Sequence, residues 1–184
     1  MTAETPKRAV WIVAPVAVVL LLLLLLFATR ERGPNRNTGV VDRGGLAPSI
    51  VGETVDGGVF DLDDQRGRFV VVNFFSTTCV PCIREHPELV SFHEAYAPSG
   101  FAEVVSVAFD DSASNVAGFF EANGGDWPVI ARDTGAIAVA YGVALVPESV
   151  IVADNGEVVD KLIGGVTRAQ IENVIGAYIE ESRA

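Results

Sequence analysis

The sequence predicts an α/β domain in which a mixed central sheet is flanked by helices, entered through an N-terminal β-hairpin and carrying a central insertion. Three observations predict it. The run Phe69–Phe75 is apolar on both faces, as a strand covered on both sides must be. Strand-like and helical stretches alternate after it, which points to helices packed on a sheet. The chain then closes with a hairpin signal and a capped amphipathic helix.

The elements follow in order. Short extended runs at Ser49–Thr54 and Val59–Leu62 are separated by Asp56-Gly57-Gly58, a turn signal between two strands. After the Phe69–Phe75 strand, Val80–Ala97 reads as a helix whose pattern is interrupted at Pro87. Phe101–Phe109 is a second β-rich run, Ala113–Ala122 a short helix, and Asp133–Tyr141 a further helical stretch ended by Gly142. Glu148–Ala153 and Glu157–Ile163 flank Asp154-Asn155-Gly156, a strong short-range hairpin signal. Thr167-Arg168-Ala169-Gln170 has the form of a capping box, and Ile171, Val174, Ile175, Tyr178 and Ile179 follow at helical spacing. No internal repeat and no phosphate-binding glycine pattern occurs.

Length and charge fix the organisation around this domain. The 184 residues leave room for one domain and one apolar span. Residues 10–28 carry no charge, and 19 residues make a helix of roughly 28 Å, close to the hydrocarbon thickness of a bilayer. A cleavable signal peptide has a shorter apolar core, about 7–15 residues, so a membrane anchor is expected after a short tail at 1–9. Residues 29–46, rich in Gly, Arg and Asn, read as a tether, with the domain over 47–184. Arginines and a lysine flank both ends of the span, so charge alone leaves its orientation open. Beyond Arg32, nine Lys/Arg stand against 22 Asp/Glu, a net of about −13. That balance argues against binding nucleic acid or an anionic membrane surface.

The chemistry lies in Cys79-Val80-Pro81-Cys82, immediately after the buried strand and at the start of a helix. Unpaired N–H groups and the helix dipole there favour a thiolate, so Cys79 is the expected attacking sulfur. Cys82, one turn on and more buried, can resolve the resulting mixed disulfide. A structural disulfide closing so short a loop would restrict the unfolded chain little. A metal site using His86 and His93 with both cysteines would crowd four ligands onto one helix, so none is expected.

The stretch Asn73-Phe74-Phe75-Ser76-Thr77-Thr78-Cys79-Val80-Pro81-Cys82-Ile83-Arg84-Glu85-His86-Pro87-Glu88-Leu89 resembles the active-site segment of the membrane-anchored, thioredoxin-like thiol–disulfide oxidoreductases of cytochrome c maturation. Tyr141-Gly142-Val143-Ala144-Leu145-Val146-Pro147-Glu148-Ser149 resembles their second active-site segment, and the similarity runs from about residue 45 to the C-terminus. The resemblance implies a thioredoxin-like fold, with Pro147 in the cis form that X–Pro bonds permit at low cost and Val146 offering its backbone to an extended substrate. It also implies that Glu148 influences cysteine ionisation. Asn73 stands where ordinary thioredoxin has a buried aspartate, which leaves Glu148 the local candidate for accepting a proton from Cys82. Thr78 departs from the family's usual tryptophan. The segment Asp111–Asp133 resembles the subgroup's insertion, in which Phe119, Phe120 and Trp127 are expected in the core ahead of a substrate surface.

The implied function is that of an extracytoplasmic reductant. Electrons would come from a membrane disulfide reductase and pass to a protein disulfide such as that of apocytochrome c, with no cofactor beyond the Cys79–Cys82 disulfide. A dithiol oxidase would use the same residues at a different redox poise. A peroxidase of the peroxiredoxin type is disfavoured by Val72 and Ser76, which stand where such sites carry proline and threonine. Copper delivery would need CxxxC and a distant histidine.

Overall fold

The computed structural model of the chain describes residues 41–132 and 134–183. The expected tail 1–9, span 10–28 and tether segment 29–40 lie outside the described residues. Among those described, no helix is long and apolar enough to cross a membrane.

The Phe69–Phe75 run forms β3, the centre of a five-stranded sheet, and all of it is buried. It runs parallel to β4 (Ala102–Ala108) and antiparallel to β6 (Glu148–Val152). With β5 (Val129–Ile130) and β7 (Val158–Ile163) outside them, the order is β5-β4-β3-β6-β7. Strand alternation sends Val70, Val72 and Phe74 to one face, where they meet Ile50, Phe60, Tyr141, Val150 and Val152. Phe69, Val71 and Phe75 point to the other face, toward Leu89, Phe92, Ile171 and Ile175. The core is therefore two layers on one sheet, the mixed thioredoxin-like arrangement that the sequence predicts.

The second of these faces is covered by α1 (Val80–Tyr96) and α4 (Arg168–Ser182). Pro87 sits inside α1, where it cannot donate to the carbonyl of Ile83. The predicted capping box on α4 is complete: Thr167 accepts from the Gln170 N–H, and Gln170 accepts from the Thr167 N–H at 2.8 Å. The hairpin between β6 and β7 closes through Ala153 N–H to Glu157 O at 2.8 Å, with Gly156 in the left-handed region at φ 85°.

The entrance hairpin pairs β1 (Val51–Glu53) with β2 (Val59–Asp61). It lies so close to the sheet that a Cβ on Gly52 would come within 2.7 Å of Ile130. Between β4 and β6 lie α2 (Ala113–Asn123), β5 and α3 (Gly135–Ala140).

Two features differ from expectation. Within the insertion, Val129–Ile130 adds an edge strand to β4, too short to leave a periodic signal. Residues 41–46, assigned to the tether, pack on the domain instead: Val41 is buried, Gly44 N–H donates to Val158 O at 2.9 Å, and Leu46 bridges Glu157. Two apolar residues, Val41 and Leu46, among Gly, Asp and Arg carry no pattern from which that docking could be read.

Truncating Phe74, fully buried between the central strand and Tyr141, is expected to cost about 3–5 kcal/mol. Val59→Ala, on the exposed side of the entrance hairpin, should cost less than about 1 kcal/mol. Denaturant unfolding of both variants checks the contrast.

Candidate active site

β3 ends at Phe75, and the chain turns through Ser76–Thr78 to place Cys79 at the N-cap of α1. Cys79 is extended (φ −82°, ψ 108°), and its sulfur accepts from the Cys82 N–H at 3.3 Å. One of the helix's orphan donors is thus directed at the sulfur, the arrangement that stabilises a thiolate there. Pro81 falls in the first turn, where a missing N–H does no harm. Cys79 and Cys82 form a disulfide with their Cα atoms 5.2 Å apart. Cys82 is 3% exposed, whereas Cys79 is half-buried.

The second segment meets the first because β3 and β6 are antiparallel neighbours, with Phe74 opposite Glu148. The end of one strand and the start of the other therefore share an edge. Val146 O lies 3.6 Å from Cys79 Sγ, and the Val146–Pro147 peptide bond is cis. Cys79, Cys82, Val146 and Pro147 are thus brought together.

The loop before Cys79 is held by Asp111, whose Oδ2 accepts from Thr77 N–H at 2.7 Å, Thr77 Oγ1 at 2.6 Å and Ser76 Oγ at 3.2 Å. Burial pushes the Asp111 carboxyl up, but the hydrogen bonds from Thr77, Ser112 and Asn115 outweigh it and hold the group below the usual range. Exposed Thr78, in place of tryptophan, meets only Ser76 Oγ at 3.2 Å among these hydroxyls.

Two buried carboxylates occupy opposite faces of the sheet. Glu148 lies on the face shared by Val150 and Val152, where its Oε2 is 2.6 Å from Lys161 Nζ, and it forms no hydrogen bond with either cysteine. Glu85, which the sequence reading passed over, stands on α1 three residues after Cys82 and is 3% exposed. It accepts from Asn73 Nδ2 and from Val166 N–H, each at 2.9 Å. Burial raises its pKa above the ordinary value, and the two hydrogen bonds only partly oppose that. Glu148 is therefore not the sole local carboxylate. The available signal was a charge at i+3 from Cys82, within the buried stripe of Leu89 and Phe92.

Both histidines are buried. His86 donates to Gly124 O at 2.9 Å and stacks against Phe119, Phe120 and Trp127, and burial lowers its pKa. His93 lies between Glu103 and Asp126. Trp127 is in the core, and Phe119 and Phe120 pack against it. Among the described residues, no group of three or more His, Cys, Asp or Glu side chains could hold a metal ion.

A CxxC disulfide at a helix N-terminus, beside a cis proline on a thioredoxin-like sheet, defines a thiol–disulfide oxidoreductase. The chain belongs to the Redoxin family, whose model matches residues 42–175. It is 30% identical over 166 residues to the thiol-disulfide oxidoreductase ResA of Geobacillus thermodenitrificans, covering 90% of this chain and 94% of the relative. The ResA of Bacillus thuringiensis is 29% identical over 160 residues, covering 87% and 92%. Among solved structures, a thiol:disulfide interchange protein DsbE from Chlorobium tepidum superposes with a TM-score of 0.68 at 26% identity, covering 74% of this chain and 97% of that one.

Because the folded-state pKa of Glu85 is raised, the native protein binds its proton more tightly than the unfolded chain does. That contribution to stability is complete below the unfolded value of 4.5 and is lost as pH rises through the folded pKa. Glu85→Gln is expected to flatten this decline, read from denaturant unfolding across pH 4 to 7.

Proposed function

We propose that the chain is a reductant of disulfides in partner proteins, with its domain held on the extracytoplasmic side of a membrane by residues 10–28. The observation that carries this reading is the chain's one cysteine pair, with Cys79 at a helix N-cap and Cys82 buried behind it.

In the reduced protein, the Cys79 thiolate attacks one sulfur of a substrate disulfide, and the other sulfur leaves as a thiolate. Cys82 then attacks Cys79 Sγ and releases the second substrate thiolate, so two electrons pass to the substrate and the Cys79–Cys82 disulfide forms. Val146 and Pro147 line the approach of the substrate chain. Glu85 is the proton acceptor for Cys82, the role that the sequence alone gives to Glu148.

Charge around the pair favours flow toward the substrate. Strong dithiol oxidants gain their potential because their reduced, thiolate form is stabilised. A buried carboxylate on the turn after Cys82 disfavours a second negative charge, which keeps the disulfide the more stable form and the dithiol the better reductant. Regeneration requires a dithiol donor in the membrane, a disulfide reductase. The resemblance to the cytochrome c maturation proteins makes apocytochrome c the proposed substrate, since haem attachment needs its cysteines as thiols.

Two measurements test the reading. Equilibrating the full-length chain with defined thiol buffers and counting alkylated cysteines should give a potential near or below about −270 mV, and a value near about −120 mV would establish an oxidase instead. Cys82→Ser should accumulate a mixed disulfide with a cysteine-containing partner, visible by mass, whereas Cys79→Ser should form none.

A further inference from the structure

Lys161 is a charged side chain that the proposed chemistry leaves unused, and it is poorly placed for a surface role. It lies on β7, 17% exposed, and its ammonium group has three donors. It donates to Tyr141 O and Gly142 O, each at 3.0 Å, and forms an ion pair with Glu148 Oε2 at 2.6 Å.

Those acceptors stand on the two flanks of one loop. Tyr141 and Gly142 end α3, and Glu148 begins β6, so Lys161 ties the entry and the exit of residues 143–147 to the neighbouring strand. The remaining backbone ties are at the margins: Val143 N–H donates to Ala138 O, and Gly164 N–H donates to Pro147 O, each at 2.9 Å. The middle of the loop is open, with Leu145 76% exposed, yet it carries the Val146 carbonyl that lies 3.6 Å from Cys79 Sγ. A buried ion pair adds little stability compared with apolar residues of the same size, so what this one contributes is geometry.

We infer that Lys161 is a positioning residue, which sets the Val146–Pro147 loop against the redox pair for a polypeptide substrate, and that Glu148 acts as its anchor. The inference rests on the substrate-binding role proposed for Val146 and Pro147. It predicts a split between substrates: a small disulfide needs only Cys79, whereas a peptide disulfide also needs the loop.

The reduced full-length chain is mixed with Ellman's reagent, or with a synthetic peptide whose single cysteine carries the same thionitrobenzoate leaving group. In both reactions the Cys79 thiolate attacks the probe disulfide, symmetric in Ellman's reagent and mixed in the peptide, thionitrobenzoate leaves, and absorbance reports its release. Lys161→Met, and Lys161→Gln where a polar replacement aids folding, should lower the peptide rate about tenfold while the Ellman rate stays within about twofold. Lys161→Arg, which keeps the charge and several donors, should recover most of the peptide rate. Glu148→Gln should leave the pH profile of Cys79 alkylation in place. The inference is overturned if both rates fall together, if the peptide rate does not change, or if Glu148→Gln shifts that profile, which would make Glu148 act on the thiol directly. A wild-type chain that releases thionitrobenzoate from neither substrate overturns instead the exchange roles given to Cys79 and Cys82.

Discussion

The antiparallel pairing of β3 with β6 is the contact on which the site depends. A strand apolar on both faces is driven to the centre of the sheet, since only there are both sides covered. Its antiparallel neighbour then begins where it ends, with Glu148 opposite Phe74. The N-terminus of α1 rises from that end of β3, and the loop before β6 arrives at the same edge. Two segments more than sixty residues apart thus meet at the disulfide without a special device, and the contact between Val146 and Cys79 follows from strand register.

The electrostatics of the site are arranged by depth and by face. At the mouth, the helix N-terminus directs the Cys82 N–H at Cys79, and Asp111 takes the donors of Ser76 and Thr77 that would otherwise be free in the same loop. One turn deeper, Glu85 occupies an apolar stripe, with Asn73 and the Val166 N–H as its only hydrogen-bond partners among the described residues. The first feature makes Cys79 nucleophilic, and the second disfavours further negative charge around Cys82. That contrast between the outer and inner sulfurs is what the proposed reductant role draws on.

Much of this was legible in the sequence, and the limits have physical causes. The two-faced apolar run, the Asp-Asn-Gly hairpin and the Thr-x-x-Gln cap are local signals, since each element is specified by residues within a few positions of one another. The CxxC at the strand-to-helix junction is equally local, and so is the proline that turns out cis. Glu148 was visible as a charge beside that proline, but the face it points to is set by β-strand parity relative to a partner strand, which no local pattern records. Glu85 was hidden by the opposite problem: among Arg84, Glu88 and the two histidines it looks like part of a solvated helix face, and only the packing of α1 on β3 buries it. β5 and residues 41–46 are held by long-range backbone pairing, which is nearly independent of side-chain type.

The buried charges also bear on how the domain divides stability from function. Removing a carboxylate from water is unfavourable unless it is paired, and raised or restrained ionisable groups gather where chemistry needs them. Among the described residues two glutamates are buried, one on each face of the sheet, and each is held differently. Glu85 has neutral donors, and burial raises its pKa above the ordinary value. Glu148 has a full ammonium counter-charge that also grips two backbone carbonyls, so it is fixed in place. The two carboxylates are thereby separated by the sheet itself: α1 carries Glu85, held by neutral donors, and the opposite layer carries Glu148, held by Lys161.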